Sequence, residues 1–399
     1  MAERLVSLWR MWWAKVVVIF VASRVMTTVI MVSFANMQGP TYWTGPKPNY
    51  FAYAAIWDSD WYRIVSLAGY PAQLPIGGDG HVTQNAWAFL PGYPAVVRGF
   101  LLVGIPFEYA SVIVSLAFAL GAALLFYHLM ARVLPSGTAL FAVVLFCIAP
   151  LSPILQVGYA ESMQLFFLFL ALLLFQDRRY YLMIPVIGIA ALTRPSGLAF
   201  AVMLLLHLVH RVVTRARDPF PWRERIAVIV VGLSSAFLGV LWPLVAWIGT
   251  GVPGAYTDTE LAWRAGYVGY QDLLPFAPWV QGSQWWLSWI NVPEATIVGP
   301  IVLVMVVGLF AILLFTSPLR RLGVEVRLWL AGYAVYLLAV FFPQSSTFRL
   351  FMPFAPALGA LAIPRSPVYR VALVVLGVAG QVGWVAICWF YASPDWSPP

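Results

Sequence analysis

Residues 108–130 read EYASVIVSLAFALGAALLFYHLM, an apolar run whose only carboxylate is at its first position. About 20 apolar residues in a helix span the ~30 Å hydrocarbon core of a bilayer. Similar runs recur along the chain, which is 62% hydrophobic and 10% charged, whereas soluble domains are about 25% charged. The sequence therefore predicts an all-α polytopic membrane protein, with residues 1–399 forming one integral membrane domain.

We predict about eleven transmembrane helices, with two long loops between them that carry helices parallel to the membrane. The helices are expected at about residues 12–34, 108–130, 138–151, 161–176, 180–193, 196–213, 226–249, 296–316, 327–343, 350–363 and 367–391. The long loops cover about residues 35–107 and 250–295. No loop is hydrophilic and long enough to bury a separate core.

The basic residues indicate how the helices are oriented. With the N-terminus in the cytoplasm, Arg4, Arg10 and most other cations fall in cytoplasmic loops, as the positive-inside rule requires. Both long loops then face outward. Because the net charge of +8 is spread over short loops, we expect membrane lipids and not nucleic acid as partners of this charge. Lysine is restricted to Lys15 and Lys47, which is typical of a GC-rich bacterial genome and favours the bacterial plasma membrane.

Two segments of the first loop are predicted to be helices that lie along the outer membrane surface. Residues 61–68 place apolar side chains on one side. Residues 88–104 are mostly apolar, but two prolines and Arg98 make a lipid-exposed crossing costly. We therefore expect both segments to be interfacial helices.

Two carboxylates lie close together in Trp57-Asp58-Ser59-Asp60-Trp61-Tyr62-Arg63, in a chain that has few acids. On a strand Asp58 and Asp60 would share a face, whereas at a helix start they would point about 200° apart. Asp60 is expected to cap or position the following helical turn. Asp58 is the stronger candidate for chemistry, as a general base toward an alcohol, although it could also orient a polar ligand or hold a metal.

Two arginines are expected at the outer ends of helices. Arg194, in Leu-Thr-Arg-Pro-Ser-Gly, interrupts a helical pair, and Arg349 lies where the ninth predicted helix turns into the tenth. Such arginines can extend toward the interface simply to reach water. Intramembrane charge is nevertheless costly and often functional, and a guanidinium suits phosphate. The pair therefore indicates a site for a phosphate-bearing lipid.

The other candidate residues carry weaker signals. Glu161 can stabilise the start of a helix or, with Tyr159, bind a hydroxyl-rich substrate. The aromatic residues around Arg264 in the second loop form either an interfacial belt or a sugar or head-group site. Tyr62, Arg63 and His81 are included as substrate-binding candidates, although a lone loop histidine is usually structural. No pattern indicates a zinc, P-loop, dinucleotide or Ser-His-Asp site.

Four motifs, taken in order, resemble the family of the second GPI-anchor mannosyltransferase, phosphatidylinositol-glycan class V, and its actinobacterial relatives. They are Trp57-Asp58 with Trp61 and Gly69-Tyr70, then Ala88-Phe89-Leu90-Pro91-Gly92-Tyr93-Pro94, Tyr159-Ala160-Glu161-Ser162 and Leu192-Thr193-Arg194-Pro195-Ser196-Gly197. The resemblance covers roughly residues 50–200, and the later half only by topology and the Arg349 turn. Glycine and alanine replace residues usual in two of the motifs, at Gly92 and Ala160.

The resemblance implies a GT-C glycosyltransferase that moves mannose from polyprenyl-phosphate mannose to a lipid-linked glycan or glycolipid, with inversion, outside the cytoplasm. It also implies that Asp58 is the catalytic carboxylate, with Asp60 as the alternative. We expect Arg349 and Arg194 to bind the donor phosphate, so that neither a metal nor another cofactor is required. Alternatives are the same scaffold with arabinose or glucose as the sugar, or a lipid-linked sugar transporter. No inverted repeat of the transporter kind is evident in the sequence.

Overall fold

A computed structural model of the chain describes residues 11–271 and 274–391. Apart from one isolated bridge between Ile76 and Val82, the regular structure of these residues is helical. The helices of ten or more residues are α1 (Trp12–Met37), α2 (Asp58–Ala68), α3 (Gly92–Leu101), α4 (Phe107–Ala131), α5 (Ser136–Ile148), α6 (Glu161–Gln176), α7 (Tyr180–Thr193), α8 (Gly197–Thr214), α9 (Trp222–Thr250), α10 (Ala255–Val268), α11 (Ala277–Trp289), α12 (Ala295–Leu313), α13 (Val324–Val340) and α14 (Pro367–Trp384). Arg4 and Arg10 lie outside the described residues.

Six helices are long and apolar enough to cross a membrane: α1, α4, α8, α9, α12, and α14 with its extension to Trp389. Shorter apolar helices are α5, α6, α7 and the segment Met352–Leu361. The prediction of an all-α polytopic membrane protein is confirmed. Each of the eleven predicted segments has a helical counterpart, but the number that cross the membrane stays a prediction.

The tenth predicted helix is the one that differs most from expectation. In place of one helix at 350–363, the chain forms three short pieces over residues 347–361. They are an α-helical turn at Thr347–Leu350, a 3-10 helix at Met352–Ala357 and an α-helical turn at Leu358–Leu361. Pro353 and Pro356 lie in the middle piece. Because proline has no N–H to donate and clashes with the preceding turn, a continuous α-helix is not favourable there.

Both long loops contain helices, and the two loops contact each other. In the first, α2 and α3 confirm the helices predicted at 61–68 and 88–104, and in the second α10 and α11 are helices whose limits were not predicted. The Asn85 amide donates to the Thr259 hydroxyl at 2.9 Å, and the Trp242 indole donates to the Trp87 carbonyl at 2.9 Å. These bonds hold α10 and the end of α9 against the first loop. The orientation of the loop helices relative to the membrane stays a prediction.

The C-terminal helix closes the bundle against its N-terminal part. The Thr27 hydroxyl on α1 donates to the Gln381 amide oxygen on α14 at 2.7 Å. Beyond α14, the Trp389 indole donates to the Tyr53 carbonyl at 3.0 Å, and the Trp57 indole donates to the Trp389 carbonyl at 3.3 Å. The chain just before α2 is therefore held by residues near the C-terminus.

Helix α6 separates two groups of ion pairs. Its 16 residues span about 24 Å, from Glu161 at its start to Gln176. Three arginines pair with acids around its far end: Arg132 with Asp177 at 2.7 Å, Arg178 with Asp218 at 2.9 Å and Arg211 with Glu224 at 3.2 Å. The length of α6 therefore separates these arginines from the residues near Glu161. The side of the membrane on which each group lies stays a prediction.

Helices α8 and α9 touch through two glycines, which permits a stability prediction. A Cβ on Gly197 would lie 2.6 Å from the Gly239 nitrogen and 2.7 Å from its Cα. Since backbone cannot move aside as a side chain can, we expect Gly197→Ala to destabilise the fold by about 1–3 kcal/mol, seen as a lower thermal midpoint in detergent. The control is Gly188→Ala on α7, whose nearest neighbour would be 3.6 Å away. Equal midpoints for the two variants would contradict this account of the contact.

Candidate active site

The start of α2 places one aspartate inside the protein and the other outside. Trp57 is the residue before the helix, and its φ of 61° is unusual for a bulky side chain. The Asp58 side chain is 9% exposed, whereas that of Asp60 is 29% exposed and pairs with Arg63 at 2.5 Å. The two acids therefore diverge, as expected for a helix. The prediction that Asp60 caps this helix is wrong, because the helix begins at Asp58 and no side chain caps it.

Asp58 forms a buried ion pair with Arg349, which lies in the short helix Thr347–Leu350. The Asp58 N–H also donates to the Tyr159 hydroxyl at 3.2 Å. The Arg349 guanidinium carbon lies 5.3 Å from the centre of the Tyr159 ring, within cation–π range. Tyr159 thus contacts both members of the ion pair.

A second ion pair lies beside the first. Glu161, the first residue of α6, pairs with Arg194, which ends α7. The Glu161 Oε1 atom is also 3.7 Å from the Arg349 Nη1 atom, so the two ion pairs form one cluster. The formal charges of the four groups cancel. Glu161 Oε2, Arg194 Nε and Arg349 Nε are buried without a hydrogen-bond partner, which leaves polar atoms available to a ligand.

A cavity of about 100 Å³ opens at this cluster. Its lining includes Asp58, Arg194 and Arg349, together with Ala88, Phe89, Gln164, Pro195, Glu260, Trp263, Tyr333, Tyr336, Phe341, Gln344, Ser346 and Leu350. Both long loops and three of the predicted spans therefore contribute side chains to one polar space. Such a space has acceptors, donors and aromatic faces, the groups that a phosphorylated sugar requires.

Burial sets the ionisation of groups around this cavity. Burial raises the pKa of Tyr159 well above its ordinary value, with the nearby Asp58 carboxylate adding to the effect. The Tyr159 phenol thus remains protonated. Burial likewise raises the pKa of Glu260 to about 7, against the opposing effects of a hydrogen bond from Tyr256 and of the Arg194 charge.

Not all predicted site residues come together. Tyr62 is 1% exposed and packs edge-on against Phe89 and Tyr93, next to the cluster. Three other residues do not line the cavity: exposed Arg63 pairs with Asp60, His81 stacks on Tyr270 at 3.8 Å, and buried Arg264 lies 3.5 Å from the Gln271 carbonyl. The cavity therefore brings together Asp58 with the two predicted phosphate-binding arginines, with Tyr159 and Glu161 in direct contact.

The sequence analysis missed the cavity residues Glu260 on α10 and Gln164 on α6, whereas Trp263 belongs to the aromatic residues around Arg264 that were candidates for a sugar or head-group site. The available signal was an acid three residues before a tryptophan, in a chain with 15 Asp and Glu in total. Among residues 11–271 and 274–391, no group of three or more His, Cys, Asp or Glu is arranged to hold a metal ion.

Among solved structures, the chain is similar to an archaeal oligosaccharyltransferase. That structure is the crystal structure of the Archaeoglobus fulgidus oligosaccharyltransferase in complex with zinc and sulfate, with 14% sequence identity and a TM-score of 0.45. The match covers 92% of this chain and 52% of that one, so the chain spans about half the length of the archaeal enzyme. This similarity is too low to assign a fold family. No protein-family model matches the chain, and no curated protein matches it.

Proposed function

We propose that the protein is an inverting glycosyltransferase of the GT-C type, which moves mannose from polyprenyl-phosphate mannose to a lipid-linked glycan or glycolipid. The observation that carries the proposal is the buried contact of Asp58 with Arg349, beside Glu161 and Arg194, in a cavity between the two long loops. A carboxylate next to two arginines supplies what attack by an alcohol on a sugar phosphate needs, namely a base and countercharges for the leaving phosphate. We place the reaction on the outer face of a bacterial plasma membrane.

In this reaction Asp58 is the general base. It removes the proton from the acceptor hydroxyl while the oxygen attacks the anomeric carbon from the face opposite the phosphate. The bond between this carbon and the phosphate oxygen breaks, and the configuration inverts. The Tyr159 hydroxyl fixes the backbone at Asp58, and the first turn of α2 holds the carboxylate toward the cavity.

Arg349 and Arg194 bind the donor phosphate. The donor is a phosphodiester with one negative charge. The departing phosphate monoester carries about 1.5 to 2 negative charges at neutral pH. Negative charge therefore grows on the phosphate during the step, and guanidinium groups in a water-poor cavity stabilise this change. Glu161 contacts both guanidinium groups and positions them.

The remaining predicted contacts are proposed to bind the substrates farther from the reacting atoms. Arg264 is 4% exposed and has two nitrogens, Nε and Nη1, without a hydrogen-bond partner. Tyr62 packs behind the cluster. Arg63 and His81 lie at exposed positions, and we propose that they contact the acceptor head group.

The decisive test is transfer of radiolabelled mannose from polyprenyl-phosphate mannose into lipid by membranes that contain the protein. We expect a glycolipid product in the presence of EDTA as well as in its absence, because the proposed countercharges are arginines. Loss of product in EDTA and its return with Mn²⁺ would contradict the metal-free mechanism. If product forms only from the arabinose or glucose donor, the proposed donor sugar is wrong. Sugar flux across proteoliposome membranes without product would favour a transporter.

A further inference from the structure

We propose that Glu260 and Trp263 form the subsite that binds the hydroxyls of the transferred sugar and thereby selects which sugar is used. The inference rests on the proposed function and adds residues to it from the second long loop. Both residues lie on α10 and line the cavity with Asp58 and Arg349. Residues three apart lie on the same side of a helix, so α10 presents an acid and an indole together.

The indole N–H of Trp263 has an unmet hydrogen bond. Its Nε1 atom is buried and has no partner. Buried donors usually have a hydrogen-bond partner. An indole N–H without one at a cavity wall therefore indicates that an acceptor on a ligand binds there. The ring itself is fixed, with edge-on contacts to Trp61 at 5.8 Å and Phe89 at 5.9 Å between ring centres.

Helix α10 is held rigidly enough to serve as one wall of a specific site. Thr259, adjacent to Glu260, is fully buried and accepts a hydrogen bond from the Asn85 amide of the first loop at 2.9 Å. Its hydroxyl also donates to the Ala255 carbonyl at 2.7 Å. Side chains on a secured helix hold their positions better than side chains on a free loop.

A hexose presents hydroxyls that both donate and accept, and sugars differ in where these point. Glu260 accepts from hydroxyls and Trp263 donates to one. When a site is built to bond a hydroxyl, a sugar lacking that hydroxyl leaves buried polar groups unpaired and is rejected. The arginines lack this ability, since a guanidinium binds the phosphate that every donor shares.

The ionisation of Glu260 gives a second signature. The groups around it are Tyr256 on the same helix, and Arg194, Asp58, Arg349 and Tyr336 from other elements. Burial is the largest cause of its raised pKa of about 7. As the pH rises through this value, Glu260 becomes a carboxylate that accepts charge-assisted bonds from the sugar. The donor KM should therefore fall as pH rises from about 6 to 8.

The experiment compares wild type with Glu260→Gln and Trp263→Phe, using mannose, glucose and arabinose on the same polyprenyl phosphate. Glu260→Gln keeps the shape of the side chain and exchanges one carboxylate oxygen for an NH₂ donor. Trp263→Phe keeps an aromatic ring but removes the indole N–H together with part of the ring. We expect the ratio of kcat/KM for the preferred sugar over the others to fall about 10- to 100-fold in each variant, chiefly through KM. The change in KM between pH 6 and 8 should be absent in Glu260→Gln. The matched control is Asp258→Asn, an acid on the same helix that is not part of the cavity lining.

The outcomes separate this inference from the proposed function. If wild type transfers none of the sugars, the proposed function fails and the inference fails with it. If wild type transfers mannose and both variants keep its sugar preference and pH response, the sugar subsite is overturned and the glycosyltransferase stands. If Glu260→Gln does not elute as a single species in detergent, Glu260→Asp replaces it, and we expect the same loss of sugar preference.

Discussion

Replacing Asp58 by asparagine is expected to lower mannose transfer by about 10²- to 10⁴-fold, the usual contribution of a general base. Asparagine has nearly the same shape but cannot accept the proton of the attacking hydroxyl. The binding of the donor should change much less, so the effect should appear in kcat. The measurement is radiolabelled transfer by purified protein in detergent, at saturating donor and at matched protein concentration.

The control for this substitution is Asp60→Asn. Asp60 lies two residues away and forms an exposed pair with Arg63, which is worth at most about 1 kcal/mol. Removing one partner of a buried pair costs about 3–5 kcal/mol in the general case. In this cluster Glu161, 3.7 Å from Arg349, continues to compensate the arginine, so Asp58→Asn should remain folded. Activity that persists in Asp58→Asn but disappears in Asp60→Asn would transfer the base role to Asp60.

Replacing Arg349 by glutamine is expected to lower kcat by about 10²- to 10³-fold, the cost of removing one group that stabilises transition-state charge. The donor carries less negative charge than the leaving phosphate does, so kcat should decrease more than donor affinity. Arg349→Lys keeps the charge but loses the planar fork, and its activity should fall between wild type and Arg349→Gln. The measurement is steady-state transfer with donor varied at fixed acceptor.

Arg132→Gln provides the matched control for the arginine series. Arg132 also pairs with an aspartate, but it does so at the other end of α6, where its partner Asp177 is 41% exposed. We expect wild-type kcat in this variant. If Arg349→Gln raised the donor KM but left kcat unchanged, Arg349 would bind the ground state and the transition state equally, and the leaving-group role would be lost.

The apolar runs predicted the helices well because length and apolar composition alone decide whether a segment can span a bilayer. Helices α6 and α7 have the predicted limits, 161–176 and 180–193. The prediction fails at residues 350–363, where prolines interrupt the helical hydrogen bonds. It also gives no limits for α10 and α11, because their moderate polarity resembles that of a loop. Contacts with distant residues help to fix them, such as the bond from Asn85 to Thr259 on α10.

The candidate site was partly predictable for a different reason. Charge is rare in this chain, so the sequence indicates Asp58, Arg194 and Arg349 as candidates and predicts one phosphate site for the two arginines. Their pairing was not predictable, because it joins segments that are far apart in the sequence. Of the two roles expected for Asp60, the cap was wrong because α2 begins at Asp58, directly after Trp57 with its positive φ. A positive φ at a tryptophan is not predictable from the local sequence.

The hydrogen bond from Trp57 to Trp389 joins residues 332 positions apart. At about 5–20 residues per second, the ribosome needs on the order of 15–70 s to make the intervening chain. For most of that interval the first long loop is already synthesised, yet neither Arg349 nor Trp389 is present. The Asp58 carboxylate therefore has no Arg349 partner until the residues that follow α13 are made. Completion of the pocket thus waits for segments that are synthesised long after the first loop.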